Sequence, residues 1–432
     1  MKTKAPSAAA TTGIPRRQFL QSSLVAGVST TAGFAAANPT PVPAPTSPAA
    51  SGTIDDGTLP RAHPFWPYPR LTLVTDHKKH RSRGSGLVIL GDRWLFFWRE
   101  AAIHGASDPD SLVRMGESRN GGQTIEHIRT IYREDHGITG TDIRARLMGK
   151  GRIGVFGSRR DSSDRKKGIT LKPFFMFSDD RGRTWTSQVL HHVAGPMSPG
   201  FTFNRFPASV GGHDTDGYVL FCHGPGMHAV YTTDNGRTWR DRHLFDSPGG
   251  EVSVVQLGDT PRWIMIGRRS TGENPAYRST NLLDWDGPHA TGKTIGSNSS
   301  TIVYHRGHIT WIAASRPYHY ENDASRAIPV DGEIFKGLVT CTADAEAIWA
   351  NPTTWPEWSV LMYLPAHFDG TFVWHQRHWY MLFGAIEDPL RIASPGKKTY
   401  SQLGIMTSVA APAAYFSGHL PGWVADLSGT ER

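Results

Sequence analysis

The sequence has few of the features that mark metal enzymes, disulfide scaffolds or membrane proteins. Its 432 residues include only two cysteines, Cys222 and Cys341, whose spacing fits no zinc motif, and its 20 histidines contain no HExxH pair. The cysteines could form one disulfide in an oxidising compartment, but two buried free thiols is the interpretation that we prefer. No segment beyond the N-terminal region is apolar enough to cross a bilayer. We therefore expect no metal, no cofactor and no membrane span.

A large excess of either charge is also absent. The chain has 46 basic and 38 acidic residues, and four of the basic ones (Lys2, Lys4, Arg16 and Arg17) lie in the predicted export signal described below. The rest of the chain carries 42 basic against 38 acidic residues, a net charge of +4. So small an excess does not predict nucleic-acid binding, although it is compatible with an anionic ligand where arginines cluster in space.

Glycine (46 residues), proline (30) and tryptophan (14) are abundant instead. This composition is typical of many short strands joined by tight turns, as in an all-β protein. Short apolar or alternating runs bounded by Gly, Asp or Pro predict strands at Leu87–Leu90, Trp94–Trp98, Ile153–Phe156, Phe174–Phe177, Tyr218–Phe221, Trp263–Ile266, Ile309–Ala313 and Trp379–Phe383.

The first 37 residues predict a targeting segment rather than folded structure. Arg16-Arg17-Gln18-Phe19-Leu20 matches the twin-arginine export signal, Leu24–Phe34 is mildly apolar, and Ala35-Ala36-Ala37 offers a cleavage site. A basic disordered N-terminus and a membrane anchor are the alternatives, but the apolar run is too short and too polar to span a bilayer. Residues 38–60 form a Pro- and Ala-rich linker, and residues 61–432 form one domain. We expect a periplasmic or secreted protein.

One motif recurs four times. Ser178–Trp185 (SDDRGRTW) is nearly copied at Thr232–Trp239 (TTDNGRTW), a weaker copy without the Trp lies at 118–124, and a shortened one lies at 279–285. Asp or Asn in such a motif bonds local backbone, Gly supplies a positive φ, and we expect the Trp to pack between strands as a small satellite core. We call these segments the repeat turns. They predict hairpin turns between outer strands of propeller blades, with no catalytic role.

Blades of four antiparallel strands around a channel account for both the strands and the spacing of the repeat turns. The repeat turns start 60, 54 and 47 residues apart, and residues 61–432 allow 62 residues for each of six blades. The predicted fold is therefore an all-β, six-bladed β-propeller, with five or seven blades as alternatives.

Propellers bind ligands at one end of the channel, on loops that leave the inner strands, so polar residues at strand ends are the candidates for a site. Arginine recurs where an apolar strand meets a loop, at Arg99, Arg144, Arg268, Arg269 and Arg316. Converging guanidinium groups bind carboxylates through paired hydrogen bonds. The alternative for each one alone is a solvated or salt-bridged surface residue.

Glu251 is the leading candidate for an acid or base. It follows Pro248-Gly249-Gly250 and precedes the apolar run Val252–Leu257, which predicts a position at a strand start near the channel. Nearby arginines would keep its carboxyl group ionised, whereas burial would raise its pKa. The alternative is that Glu251 only orients a neighbouring arginine.

Five other residues are candidates for contact with a ligand. His104 and His223 lie at strand ends, and Asp142 precedes Arg144 by two residues. Tyr318 and Tyr320 belong to a segment rich in aromatic and polar groups, a mixture that suits a sugar platform. Ordinary loop positions are the alternative for all five.

The repeat turns, which match Asp boxes, and the arginine-ended strands together resemble the sialidase superfamily. The order of motifs is most similar to the propeller domain of phage endosialidases. The stretches that carry this resemblance are Asp142–Arg144, Glu251–Arg269, Ser315-Arg316 and Trp379–Pro389. That family has a glutamate and two arginines in its active site, which implies Glu251, Arg268 (or Arg269) and Arg316 here. The Phe-Arg-Ile-Pro motif of exosialidases is absent, as is the trimer-forming stalk of the phage proteins, so the resemblance leaves the oligomeric state open.

The leading hypothesis is a glycosidase that acts on an acidic oligo- or polysaccharide bearing sialic or another nonulosonic acid. Arg268 and Arg316 would hold the sugar carboxylate, and Glu251 would serve as acid or base. A polysaccharide lyase is the alternative, in which arginine neutralises a uronate and His104, His223 or Tyr320 removes the C5 proton. The third hypothesis is a propeller that binds glycans without catalysis.

Overall fold

The computed structural model describes sixteen segments of the chain. They are residues 59–73, 81–101, 111–133, 143–161, 170–190, 198–205, 217–223, 226–246, 250–269, 272–296, 300–315, 328–335, 337–362, 366–387, 401–409 and 416–417. The predicted signal segment and all but the last two residues of the predicted linker lie outside them. Leu59, one of those two, is buried against the folded unit.

The described residues form six blades of antiparallel strands, which confirms the predicted six-bladed β-propeller. Blade I contains β2 (Arg81–Leu90), β3 (Arg93–Ala101), β4 (Leu112–Ser118) and β5 (Glu126–Arg133). Blade II contains β6 (Arg144–Leu147), β7 (Ile153–Asp161), β8 (Thr170–Ser178) and β9 (Thr186–Val189). Blade III contains β10 (Ser198–Arg205), β11 (Tyr218–His223), β12 (Met227–Thr232) and β13 (Arg240–Phe245). A 3₁₀ turn, Gly149–Gly151, joins the first two strands of blade II.

Blades IV to VI follow the same plan. Blade IV contains β14 (Val252–Gln256), β15 (Trp263–Gly267), β16 (Pro275–Ser279) and β17 (Asp286–Ala290). Blade V contains β18 (Ser300–His305), β19 (His308–Ser315), β22 (Gly337–Asp344) and β23 (Ser359–Met362). Blade VI contains β24 (Ala366–His375), β25 (His378–Glu387), β26 (Ser401–Val409) and β1 (Tyr68–Leu73). Blade V also carries the hairpin of β20 (Ile328–Val330) and β21 (Glu333–Phe335) and the helix α1 (Ala345–Ala350), and β27 (Phe416–Ser417) pairs with β1. With six residues, α1 is far too short to span a bilayer, and the described residues contain no helix that could.

The N-terminal strand closes the ring of blades. Strand β1 is the fourth strand of blade VI and pairs antiparallel with β26, from Tyr68 opposite Val409 to Leu73 opposite Gly404. The segment before β1 packs between blades V and VI, where Phe65 is fully buried. His63 is buried there as well: its Nε2 lies 3.1 Å from Thr340 Oγ1, and its Nδ1 accepts a hydrogen bond from the Phe65 amide.

All eight predicted apolar runs fall within strands, and six of them are the second strands of the six blades. The second strand is covered on both faces by neighbouring blades, so it reads as a continuous apolar run, and all five residues of β15 are buried. By contrast, the fourth strands β5 and β17 have no buried residue. This difference explains why the sequence indicated inner strands better than outer ones.

Six apolar clusters form the core, one at each junction between neighbouring blades. Each cluster has members from both blades of its junction, for example Leu95 and Val155 (I/II), Phe156 and Leu220 (II/III), Val219 and Trp263 (III/IV), Ile264 and Trp311 (IV/V), Ile312 and Met381 (V/VI), and Leu382 and Trp94 (VI/I). Cys222 and Cys341 belong to different clusters and are buried free thiols, as predicted, and burial raises the pKa of both.

The repeat turns connect the third and fourth strands of blades I to IV. In Ser178–Trp185, the Ser178 hydroxyl accepts from the Gly182 amide at 2.7 Å, and Asp180 accepts from the Thr184 amide and hydroxyl. In the other three turns the hydroxyl oxygens of Thr232, Ser118 and Ser279 likewise accept a hydrogen bond from a backbone amide. Gly182 has φ +86°, a left-handed conformation that glycine adopts without strain.

The tryptophans of these turns pack on the preceding blade, so the expected small satellite core is wrong. Trp185 meets Phe97 of blade I edge to face at 5.6 Å, and Trp285 meets Phe221 of blade III at 5.5 Å. Trp239 contacts both Phe156 and Phe175 of blade II. Each indole therefore joins the main cluster between two blades, because the turn projects it sideways from the blade edge.

Candidate functional site

Strand direction brings the predicted site residues to one end of the propeller. In every blade the first strand begins, and the second strand ends, at the same end, which we call the site face. The described candidates at that face are Arg99 near the end of β3, Arg144 at the start of β6, His223 at the end of β11, Glu251 directly before β14, and Arg268 and Arg269 directly after β15. The repeat turns follow third strands and so lie at the other end, the turn face.

Glu251 and Arg268 form an ion pair at the mouth of blade IV. Strands β14 and β15 place Val252 opposite Gly267, and the backbone pairing continues as the Arg268 amide donates to the Glu251 carbonyl at 3.0 Å. The two side chains therefore leave neighbouring strand ends together, and Arg268 Nη1 donates to Glu251 Oε2. The Glu251 side chain is 9% exposed and that of Arg268 is 28% exposed. The carboxylate is thus enclosed, while the guanidinium group still reaches solvent.

His223 joins this pair from the neighbouring blade. It is the last residue of β11, and its Nε2 is buried without a hydrogen-bond partner in the part of the chain that the structure describes. Burial lowers the pKa of His223; the Glu251 carboxylate opposes this effect, and the Arg268 charge adds to it. Burial thus favours the neutral imidazole, whose Nε2 is unused among the described residues and which lies within electrostatic range of Glu251 and Arg268.

Asn274 was missed by the sequence analysis, yet it fixes the backbone around Arg268. It is fully buried, its Nδ2 donates to the Gly267 carbonyl at 2.9 Å, and its Oδ1 accepts from the Ile295 amide at 2.9 Å. These bonds tie the end of β15 to the segment that leads into blade V. The Asn-Pro dipeptide at 274–275, a common turn signal, was the only sequence feature that could have indicated it.

The remaining candidates are partly described. Arg99 and Arg144 are buried in blades I and II, which rules out a solvated surface position for either, and Arg144 Nη1 donates to the Ile143 carbonyl. Arg269 lies near Tyr277, where burial raises the pKa of the phenol to about 12 and the arginine charge partly offsets the rise. Arg268, rather than Arg269, pairs with Glu251. The candidates that lie outside the described residues are Arg316, His104, Asp142, Tyr318 and Tyr320.

The described site combines a guanidinium group, an ionisable carboxyl group and an imidazole at one end of the propeller. Groups of these types can bind anions and transfer protons. Within the described segments, no three His, Cys, Asp or Glu side chains are arranged to hold a metal ion.

No protein-family model and no curated protein sequence matches this chain. Among solved structures it is similar to a protein of unknown function from Dyadobacter fermentans, with 13% identity, a TM-score of 0.58, and coverage of 78% of this chain and 97% of that one. It is also similar to the phage phi92 endosialidase, with 9% identity, a TM-score of 0.54, and coverage of 82% of this chain and 71% of that one. A third similar structure is the NanB sialidase of Streptococcus pneumoniae, with 10% identity, a TM-score of 0.52, and coverage of 83% of this chain and 72% of that one. Identities this low show the fold alone. The chain has the six-bladed β-propeller fold of sialidases, as its sequence predicted.

Proposed function

We propose that this protein is an exported glycoside hydrolase that acts on an acidic glycan, with sialic or a related nonulosonic acid as the recognised sugar. The observation that carries the proposal is the Arg268–Glu251 pair with His223 beside it at the site face. The fold shared with an endosialidase and a sialidase supports the same substrate class. Export rests on the twin-arginine motif at Arg16-Arg17.

Arg268 is suited to hold the sugar carboxylate. Guanidinium has five N–H donors, and one nitrogen, Nη1, is engaged with Glu251, so other donors can bind a ligand. We assign Arg316, the residue that follows the last position of β19, as the second carboxylate-binding arginine. Arg99, Arg144, Asp142 and His104 are assigned to substrate contact from their places at strand ends, and Tyr318 and Tyr320 from their aromatic and polar segment.

Glu251 is the proposed acid or base. Its carboxyl group is held by Arg268 directly before β14, where it could accept a proton from an attacking water. The water oxygen then bonds to the anomeric carbon as the glycosidic bond breaks through an oxocarbenium-like transition state, and the departing oxygen takes up a proton. The same pairing would also let Glu251 orient Arg268, and the experiment below separates the two roles.

The test is a screen of the purified protein against sialic-acid-containing and other acidic polysaccharides, followed by the variant Glu251→Gln. Loss of a general acid or base lowers turnover by about 10² to 10⁴-fold. Because Gln keeps the shape and can still accept a bond from Arg268, we expect KM to change little and the thermal unfolding midpoint to stay near that of the parent. Undiminished turnover in a folded Glu251→Gln protein would refute the assignment.

A polysaccharide lyase is the second candidate, and His223 is the observation that favours it. A neutral imidazole beside an arginine is the pair needed to remove the C5 proton of a uronate whose carboxylate the arginine neutralises. A lyase leaves an unsaturated uronate that absorbs in the ultraviolet, whereas a hydrolase does not. His223→Gln should then abolish product formation while Glu251→Gln lowers it less. Saturable binding of acidic glycans without any product would instead identify a non-catalytic propeller.

A further inference from the structure

A second polar cavity lies at the turn face, between blades II and III. Its volume is about 370 Å³, within the range of small-molecule sites. The 3₁₀ turn Gly149–Gly151 forms one wall, and the repeat turn Thr232–Trp239 forms the other. The lining residues are Lys150, Arg152, Asp179, Thr233, Asp234, Asn235 and Arg237.

The walls of this cavity are held by a hydrogen-bonded frame. Arg152 donates to both carboxylate oxygens of Asp179, at 2.7 and 2.8 Å, and to the Asn235 carbonyl at 2.8 Å. Its guanidinium carbon lies 4.1 Å from the centre of the Phe177 ring. Asn235 returns a bond from Nδ2 to the Gly149 carbonyl at 2.9 Å. The two walls are therefore fixed relative to each other before any ligand binds.

Positive charge in the cavity is only partly offset. The charge of Arg152 is neutralised by Asp179, with which it makes a bidentate pair. Asp234 is engaged by the amide and hydroxyl of Thr238; burial raises its pKa, but the hydrogen bonds outweigh burial and lower it. The side chains of Lys150 and Arg237 make no ion pair or hydrogen bond with any residue that the structure describes. Two cations thus remain available to an anion.

The preceding junction shows how this cavity arises. Between blades I and II, Arg93 takes the place of Arg152: it pairs with Glu117 and donates to the Arg181 carbonyl at 2.7 Å. There Arg129, on the fourth strand, donates to the carbonyls of Gly182 and Arg183.

Between blades II and III the equivalent fourth-strand residue is Gln188, which donates only to the Gly236 carbonyl at 3.2 Å. Gln188, a shorter neutral side chain, thus replaces Arg129. Asn235 occupies the position in the repeat turn Thr232–Trp239 that Arg181 occupies in Ser178–Trp185. Among the described residues, Lys150 and Arg237 have no paired carboxylate at the second junction, whereas Arg129 at the first is bonded to backbone carbonyls.

We propose that this cavity is an accessory binding site for one acidic sugar unit. The carboxylate of the sugar lies between Lys150 and Arg237. Its ring hydroxyls donate hydrogen bonds to the Asp234 carboxylate and form a hydrogen bond with the Thr233 hydroxyl. The site is separate from Glu251 and Arg268, because it lies at the opposite end of the strands. Binding there would hold a polymeric acidic glycan near the protein and raise its local concentration at the site face.

The test measures binding of D-galacturonate and N-acetylneuraminate to the full chain by titration calorimetry and by hydrogen–deuterium exchange. Neutral D-galactose is the ligand control. Both acids should protect peptides that cover 149–152 and 232–239, and galactose should not. Lys150→Gln combined with Arg237→Gln should abolish that protection and weaken binding at this site by about tenfold or more.

Arg183→Gln is the matched control, since Arg183 occupies the position of Arg237 in the preceding repeat turn. It removes one exposed charge from the same face, and its protection pattern should equal that of the parent. Protection confined to the site face, or equal protection by galactose, would overturn the proposal. Turnover is not the readout, so failure here is distinct from failure of the Glu251 assignment.

Discussion

Glu251 and Arg268 meet because each flanks one strand of the same hairpin. The residues between them, 252–267, contain both strands and their turn, so backbone pairing alone brings the two side chains to the same edge. Carboxylate and guanidinium groups at such an edge interact strongly only when partly enclosed, as they are here. The exposed part of Arg268 is the surface that a ligand carboxylate can reach.

Neighbouring arginines in this segment should differ sharply in their effect on activity. Arg268→Gln removes the partner of Glu251 and the proposed carboxylate contact, so we expect kcat/KM on an acidic glycan to fall by at least about 100-fold, consistent with the loss of a charge-assisted hydrogen bond to a buried group. Arg269→Gln, the matched variant, should lower it much less. Steady-state kinetics on the same substrate measures both, and equal effects would contradict the assignment of Arg268.

Sequence could indicate Glu251 and Arg268 because strand ends are visible in the apolar pattern. Nothing in that pattern shows which of two adjacent arginines pairs with the glutamate, since the answer depends on strand register. Asn274 escaped for another reason: its partners, Gly267 and Ile295, lie in separate segments that only the folded blade brings together. Local sequence patterns therefore indicate where a residue lies along a strand, whereas its interaction partners can be identified only from the tertiary structure.

At the level of elements, the repeat turns were predictable because their hydrogen bonds are local. Hydroxyl, carboxylate and glycine all act within eight residues, so the sequence motif contains the whole turn. The direction of the tryptophans was not predictable, because their aromatic partners belong to the preceding blade. In the shortened fourth turn, Leu282 adopts φ +65° where the others have glycine.

The four copies provide a matched pair of variants for the turn of blade III. Thr232 donates to Asp234 at 2.7 Å and accepts from the Gly236 amide at 2.9 Å, so Thr232→Ala should lower the free energy of unfolding by about 1 to 2 kcal/mol. Thr232→Ser keeps the hydroxyl, as in the other three turns, and should lower it by less than about 0.5 kcal/mol. Denaturant unfolding compares the two, and similar losses from both would show that the hydroxyl bonds are not the cause.

For the whole molecule, the blade count followed from the spacing of the repeat turns, but the closure of the ring did not. The pairing of β1 with β26 joins residues more than 330 positions apart, and no local pattern encodes it. The burial of His63 between blades V and VI is a result of that closure. No local pattern indicated that this histidine, among 20, belongs to the core.

His63 should make the stability of the propeller depend on pH. Burial and, to a smaller extent, the charge of His305 lower its pKa from 6.5 to about 3. Below pH 6.5 the unfolded chain binds a proton that the folded chain does not, so stability falls as pH decreases toward 3. Between pH 6.5 and pH 5 the loss from this residue is about 2 kcal/mol.

Thermal unfolding measured from pH 7 to pH 4 tests this expectation. His63→Gln, which can still bond Thr340, should show a shallower decline than the parent. His378→Gln, at an exposed position, should show the parental decline. An unchanged slope in His63→Gln would assign the acid sensitivity to other groups.

The pairing of the first strand with the last blade also sets an order of events during synthesis. Tyr68–Leu73 leaves the ribosome before any blade, yet its hydrogen-bonding partner, Ser401–Val409, is among the last strands made. Five blades can stack while the chain is still growing, but the sixth stays one strand short until translation is nearly complete. The nascent protein therefore carries β1 as an unpaired strand for most of its synthesis.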